Sequence, residues 1–373
     1  MTLRERILAV YRGETPDVVP FMLDLSHWYY HKNRLPWDLT VAYEEPEYSL
    51  IDYHKSVGAG FYMPNLGVFY GAAYGDDVQS ETFKTERNGA PEIVWRLTTP
   101  LGSIERRRVW EPGSYSWAIS RWGVESEQDM KVLGCALGSR VFTPRWDRFQ
   151  AWDDYVGDDG VVYVSAGYSA IGHLMHYWMG VENLMYATMD CPETLHAVVD
   201  QINESNLRMI DLLASSPAPI VIMGDNFSSD LQPPRFFAEW SQPYFAEGIR
   251  RLHAAGKYVP VHIDGKLRGS INMLREAGMD CADAVTPPPM GDLTPAECRD
   301  EAGPDVILSG GVSPDLWYSY VPEEAFVAAV KAWLDLKRRS PRLIANAGDQ
   351  VPPGAAEKRI TLMRDLVEEY GRY

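Results

Sequence analysis

The 373-residue sequence contains no run of eighteen apolar residues, so no membrane-spanning helix is expected. Cysteine is scarce. Only Cys135, Cys191, Cys281 and Cys298 occur, none in a C-x-x-C pair. That spacing offers no disulfide framework and suits buried or incidental thiols in a reducing cytosol. Positive charge is also short: 35 basic against 52 acidic residues leave a formal net charge of −17. Such a charge repels polyphosphate and anionic lipid, which argues against nucleic acid and membrane surfaces as partners. The opening MTLRERILAVYRGETPD has no long apolar core and no small-residue cleavage site. It does not read as a secretory signal, and a cytoplasmic location is the expectation. No G-x-S-x-G elbow, P-loop or dinucleotide-binding fingerprint is present, nor any internal repeat or low-complexity tract.

What is present is a globular composition, 46% hydrophobic and 23% charged. Its second half alternates two kinds of segment. VVYVSAGY (161–168), PIVIMGDN (219–226), YVPVHIDG (258–265), VILSGG (306–311) and LIANAGD (343–349) are continuous apolar runs, with DAVTPPP (283–289) a weaker one. Runs of this length suit strands buried on both faces, as in a parallel sheet. Between them lie helical patterns over 235–255, over 267–277 with Gly278 as a stop, after Pro322, and from Ile360 to Tyr370. Strand, helix, strand with short connections predicts a parallel α/β architecture, closed barrel or open sheet. The first 150 residues differ. VVPFML (18–23) reads as one buried strand. Ile93–Thr98 and Ser103–Val109 around Pro100-Leu101-Gly102 read as a hairpin, with a third strand within 114–124. An antiparallel insertion at about 90–124 is therefore expected.

Polar residues gather at the ends of the apolar runs. Asp225 and Asn226 close one, His262 and Asp264 another, Asp349 a third. In α/β barrels the carboxyl ends of the strands form the active-site mouth. His262 and Asp264 lie two apart, so on a strand they face the same way, as two ligands of one metal ion would. The competing reading of each Asp is a cap on the following helix. His173 and His176 sit in an apolar, aromatic context, where packing comes first and substrate lining second. Asp24, His27 and His31 follow the first strand and could line the mouth or a solvated loop. Ser309-Gly310-Gly311 could approach a phosphate but lacks a complete phosphate-loop pattern. The 12 Trp, 21 Tyr and 11 Phe suit a large organic ligand, although core packing accounts for most of them.

In order along the chain, RERILAVYRGETPDVVPFML, TTPLGSIERRR with WGVESEQDMKVL, and GYSAIGHLMHYWMGVENLMYATMDCPETLHAVVD are followed by GDN, HIDG, LREAGMD, LSGGVSPD and NAGDQVPPGAAEKRI. This ordered set resembles the uroporphyrinogen decarboxylase superfamily, and within it the cobalamin-dependent methyltransferase-like branch. The resemblance implies a single (β/α)8 TIM-type barrel over residues 1–373, with the N-terminal antiparallel hairpin insertion and a ligand cleft at the strand ends. Metal-dependent members of that branch hold zinc with an H-x-C pair and a later Cys. Here those positions read His262-Ile263-Asp264 and Asp349. Two thiolates have become two carboxylates. The formal charge of the set is unchanged, but oxygen ligands favour harder divalent ions than zinc.

The resemblance implies a metal-dependent methyltransferase, a demethylase of a small methylated O- or N-donor. A corrinoid (cobalamin) carried by a partner protein would be the methyl acceptor. His262, Asp264 and Asp349 are the expected ligands of the metal, zinc or a harder divalent ion. Asp225 and His262 are the expected catalytic groups. Asn226, His173, Asp24, His27, Trp28, Tyr168 and Trp178 are expected around the substrate, and a homodimer is expected from the family. Two alternatives stand beside this reading: a decarboxylase or lyase of a small carboxylate, and a non-catalytic cofactor-binding protein. Decarboxylation of uroporphyrinogen itself fits poorly. That branch carries arginines just after its first strand to bind many carboxylates, and FMLDLSHWYYHKN has none before Arg34.

Overall fold

The computed structural model describes residues 1–41, 44–63 and 69–373. Twelve strands occur among them. They are β1 (Tyr70–Ala73), β2 (Gln79–Arg87), β3 (Ala90–Thr99), β4 (Gly102–Glu111), β5 (Ser116–Arg121) and β6 (Val141–Pro144). The rest are β7 (Val164–Tyr168), β8 (Val221–Phe227), β9 (Pro260–Ile263), β10 (Cys281–Val285), β11 (Ile307–Val312) and β12 (Leu343–Ala347). The last six form one parallel sheet in the order β12-β11-β10-β9-β8-β7. Every residue of β10, β11 and β12 is buried, as the continuous apolar runs require of strands covered on both faces.

The expected strand at 18–23 is reduced to bridges. Phe21 pairs parallel with Ala345, and Met22 with Gly60, while Phe61 pairs with Gly160 just before β7. Hydrogen bonds from Met22 N to Ala345 O, Gly60 N to Phe21 O and Val161 N to Phe61 O follow the same course. Pro20 has no N–H to give to a ladder, which shortens this segment. The pairing thus continues from β12 back toward β7, a pattern consistent with a TIM-type barrel. Strand β10 lies two residues earlier than the DAVTPPP run suggested, because Pro287, Pro288 and Pro289 cannot extend a central ladder. The helix expected over 235–255 is broken at Ser241 into Pro234–Trp240 and Gln242–Ala254, where Pro243 starts the second piece.

Strands β2 to β5 form a separate antiparallel sheet in sequence order. The β3–β4 hairpin closes at Thr99 and Gly102 as its Pro-Leu turn suggested. Strand β2 was not anticipated. All nine of its residues are exposed, so it carries no buried apolar face for a pattern to show. Leu97 on β3 and Ile104 on β4 pack with Met130, Leu133 and Trp178 in a second apolar cluster beside the parallel sheet. No helix among the described residues is long and apolar enough to cross a membrane.

Candidate active site

The carboxyl ends of the parallel strands surround a cavity of about 320 Å³. That is the lower end of the size range of small-molecule sites. Ser165, Gly167 and Tyr168 come from β7, and Gly224 and Asn226 from β8. His262 is on β9 and Asp264 just beyond it, Ala284 is on β10, and Asp349 and Gln350 follow β12. Asp24, Ser26, Trp37, Leu39, Tyr62 and Met63 complete most of the wall. Among these lining residues there are three aspartates and no lysine or arginine.

The acidic side chains are held by short local bonds. Asp24 accepts from Ser26 N at 2.9 Å, Ser26 Oγ at 2.5 Å and Gln350 Nε2 at 3.0 Å. Asp264 accepts from Gly265 N at 2.7 Å, and its own N–H donates to Phe227 O. Burial pushes the Asp349 carboxyl up to about 6. The charge of Asp264 adds to that rise, and His262 opposes it. Such a carboxyl still holds its proton in mildly acidic solution.

Beneath the floor lies a residue that the sequence reading missed. Asp283 on β10 stands in register beside His262 on β9 and is 1% exposed. Burial raises its pKa, while Ser309 and His262 oppose the rise. Asn346 Nδ2 donates to Tyr62 OH and Ser309 Oγ, each at 3.2 Å. Strand pairing alone reveals this group, since Asp283 opened a segment that read only weakly as a strand.

The other expected site residues fall in different places. Asp225 is fully buried and does not line the cavity. Its carboxylate accepts from Ser169 N at 2.7 Å and from the Ser169 hydroxyl, and Ser169 in turn caps the helix Ala170–His173. Burial pushes this carboxyl up to about 7 against the pull of those bonds. Asn226 does line the cavity, at φ +47°, and Tyr168 OH donates to its Oδ1 at 2.6 Å. His173 and His176 stand behind Tyr168, with ring centroids 6.3 and 5.8 Å from it. Burial lowers both imidazole pKa values. His27 touches Trp37, which lines the cavity, and bonds to Tyr115 O at 3.0 Å. His31 packs edge-on against Tyr115. Trp28 is buried and donates to Ala355 O at 3.0 Å, and Trp178 belongs to the second apolar cluster. Neither tryptophan lines the cavity.

The family model for uroporphyrinogen decarboxylase (URO-D) matches residues 159–370. That is more than half of the sequence. The chain belongs to the URO-D family. The superfamily includes decarboxylases and methyltransferases, and its members are enzymes. The matched span holds β7 to β12, and with them Tyr168, Asn226, His262, Asp264 and Asp349. Asp24 and the antiparallel sheet lie outside it. Among curated proteins, uroporphyrinogen decarboxylase 2, chloroplastic, of Arabidopsis thaliana is 24% identical over 181 residues. The match covers 48% of this chain and 43% of that protein, so the chain spans less than half the length of this URO-D relative. A solved structure of the pneumococcal virulence factor StrH superposes on 60% of this chain and 63% of that one. Its TM-score of 0.32 and 11% identity carry no argument.

A metal was expected from the branch that the sequence resembles. His262, Asp264 and Asp349 do share one cavity. Yet among the described residues no three His, Cys, Asp or Glu side chains are placed to hold a metal ion together. As arranged, this donor set does not fit a metal, and no step proposed below passes through one.

Proposed function

We propose that this URO-D family chain is a methyltransferase that removes a methyl group from a small O- or N-methylated donor. The observation that carries the reading is the cavity wall: His262, Asp24, Asp264 and Asp349, with no cationic side chain among the lining residues. A polycarboxylate such as uroporphyrinogen would meet three carboxyl groups and no counter-charge there. A neutral donor meets no such repulsion, and a cationic one meets complementary charge. The chemistry needs an acid, because an alkoxide or amide anion leaves carbon poorly. A protonated Asp349 can supply it. As the carbon–heteroatom bond breaks, its electron pair stays on the heteroatom, which takes the proton and departs as an alcohol or amine. The methyl group passes to the nucleophile, which a reduced corrinoid on a partner protein would provide. In this reading His262, which stands beside Asp283 of β10, orients the heteroatom. The cavity is small for a macrocycle, so the donor occupies it and the acceptor is presented at its mouth.

The (β/α)8 barrel belongs to the same proposal. It is supported by the six paired strands and by the bridges through residues 21–22 and 60–61. Eight strand positions would then close around the cavity in one domain, with the β2–β5 sheet as its insertion. The test is methyl transfer from a panel of methylated ethers and amines to a reduced corrinoid, for wild type, Asp349→Asn and His262→Gln. Turnover that falls about 100-fold or more in Asp349→Asn supports acid assistance. Release of carbon dioxide from a small carboxylate, with no methyl transfer from any donor, overturns the reading in favour of the decarboxylase branch.

A further inference from the structure

Three consecutive arginines on β4 have two different fates. Alternation along a strand sends Arg107 to one face and its two neighbours to the other. Arg107 pairs with Glu92 and Glu105. Arg106 and Arg108 face the segment 170–178 instead. The Arg106 guanidinium lies 4.2 Å from the Trp95 ring, 4.9 Å from Trp178 and 5.1 Å from Tyr177. Arg108 lies 5.1 Å from the same Tyr177 ring and donates to His176 O at 3.3 Å. Arg106 Nε and Nη1, Arg108 Nε and His176 Nε2 are buried atoms with no hydrogen-bond partner. The groups whose charge acts on Arg106 are Arg108, Tyr177 and Tyr74, with no carboxylate among them.

Two guanidinium groups that repel each other, with N–H groups left unpaired, are costly to keep out of water. Stacked rings offset part of that cost but satisfy no N–H. A bound oxyanion would both neutralise the pair and accept those hydrogen bonds. The arginine pair stands next to the cavity wall. Tyr168 lines the cavity, and its ring centroid is 5.0 Å from that of Tyr177 and 5.8 Å from that of His176. As whole residues Arg106, Arg108, His176 and Tyr177 are half-buried, while the unpaired nitrogens themselves are turned inward.

We propose that Arg106 and Arg108 form an oxyanion subsite that holds the anionic end of the substrate, a carboxylate or phosphate. The substrate is then amphoteric. Its anionic end lies against β4, and its reacting end passes Tyr168 into the carboxylate-lined cavity. This rests on reading that cavity as the reaction site.

The test is binding of sodium acetate and of inorganic phosphate, at ionic strength held constant with chloride. Tryptophan fluorescence gives the readout through Trp95 and Trp178. Wild type should bind one of the two anions saturably, and which one saturates names the group. Arg106→Gln and Arg108→Gln should each weaken that binding about tenfold or more, while Arg121→Gln on the same sheet leaves it unchanged. Arg106→Lys keeps the charge and should retain part of the affinity. Absence of saturable binding of either anion to folded wild type overturns the proposal, even where a variant does not fold. Unchanged affinity in both glutamine variants overturns it too. The measurement needs no donor, acceptor or turnover. Anion binding without methyl transfer from any donor therefore sinks the proposed reaction and leaves the subsite standing.

Discussion

Replacing Asp225 by asparagine separates a catalytic carboxylate from a structural one. The side chain has no exposed surface and its midpoint lies at about 7 rather than 3.8. A carboxyl whose pKa is raised by folding binds more protons in the native state than in the unfolded chain. Stability is therefore fully present below about pH 4 and is lost as pH rises toward 7. Moving one midpoint from 3.8 to about 7 removes about 4 kcal/mol, of which about 3 kcal/mol disappears between pH 5 and pH 8. Asparagine keeps the shape and carries no charge. Its Oδ1 can accept from Ser169 N, and its amide can donate to Ser169 Oγ, which also accepts from Gly172 N at 3.1 Å. Asp225→Asn should thus be more stable than wild type by about 4 kcal/mol at pH 8 and by only about 1 kcal/mol at pH 5, a gain of about 3 kcal/mol between the two.

Urea unfolding at the two pH values measures this directly, because only the difference between the two proteins is used. Other groups that titrate over the same range, Asp349 and His54 among them, cancel in that difference. Turnover supplies the second arm. A carboxylate turned to Ser169 and away from the cavity leaves turnover within a few-fold of wild type. A variant less stable than wild type at pH 8, or a loss of turnover of about 100-fold in a folded variant, would refute the structural assignment.

His54 gives the opposite limb of the pH curve. Burial lowers it to about 4, so the unfolded chain binds the extra proton, and stability is lost as pH falls from about 6.5 to 4. His54→Gln should flatten that acid limb by about 3 kcal/mol in urea unfolding, and an unchanged limb would contradict the burial argument. Gly172→Ala would place a Cβ 2.1 Å from Asp225 Oδ1 and 2.7 Å from Tyr168 Cδ1. It should cost about 1–3 kcal/mol by the same assay, and a neutral result would show that the Ser169 cap yields easily. Elemental analysis of the purified protein should find divalent metal well below one equivalent. One equivalent, lost in His262→Ala, would show that His262, Asp264 and Asp349 close on an ion after all.

Sequence patterning revealed the parallel strands because both of their faces are buried, so a one-dimensional run is enough to mark them. It also led to His262, Asp264 and Asp349, since polar residues that end an apolar run stand where the strand emerges from the core. What it lacked was parity. Gly224 and Asn226 line the cavity and Asp225 between them points away, so the choice among three adjacent polar positions rested on one residue of register. Asp283 stayed hidden for a related reason. Its strand read as starting there and running into prolines, whereas it begins at Cys281 and sets Asp283 beside His262. Strand β2 is exposed throughout and is held by backbone pairing to β3, which leaves no periodicity to read. Arg106 and Arg108 were visible only as part of a charged run. Which of three arginines lacks a carboxylate depends on the neighbouring strands and on the segment packed against them.

The separation of charge bears on the reaction itself. If the anionic end of the substrate rests on Arg106 and Arg108, that group lies on the β4 side of Tyr168, away from His262. Chemistry at His262 and Asp349 then acts on the opposite end of the molecule. A decarboxylase would need its scissile carboxylate in the cavity, among Asp24, Asp264 and Asp349, where each ionised neighbour raises the cost of bringing it in. A methyl donor has no such conflict. Its heteroatom is neutral or cationic in the ground state, gains from nearby carboxylates, and takes up a proton as the methyl group leaves. One carboxylate cannot occupy both places. The same pair of charges that would hold an amphoteric substrate therefore also selects which of its ends reacts.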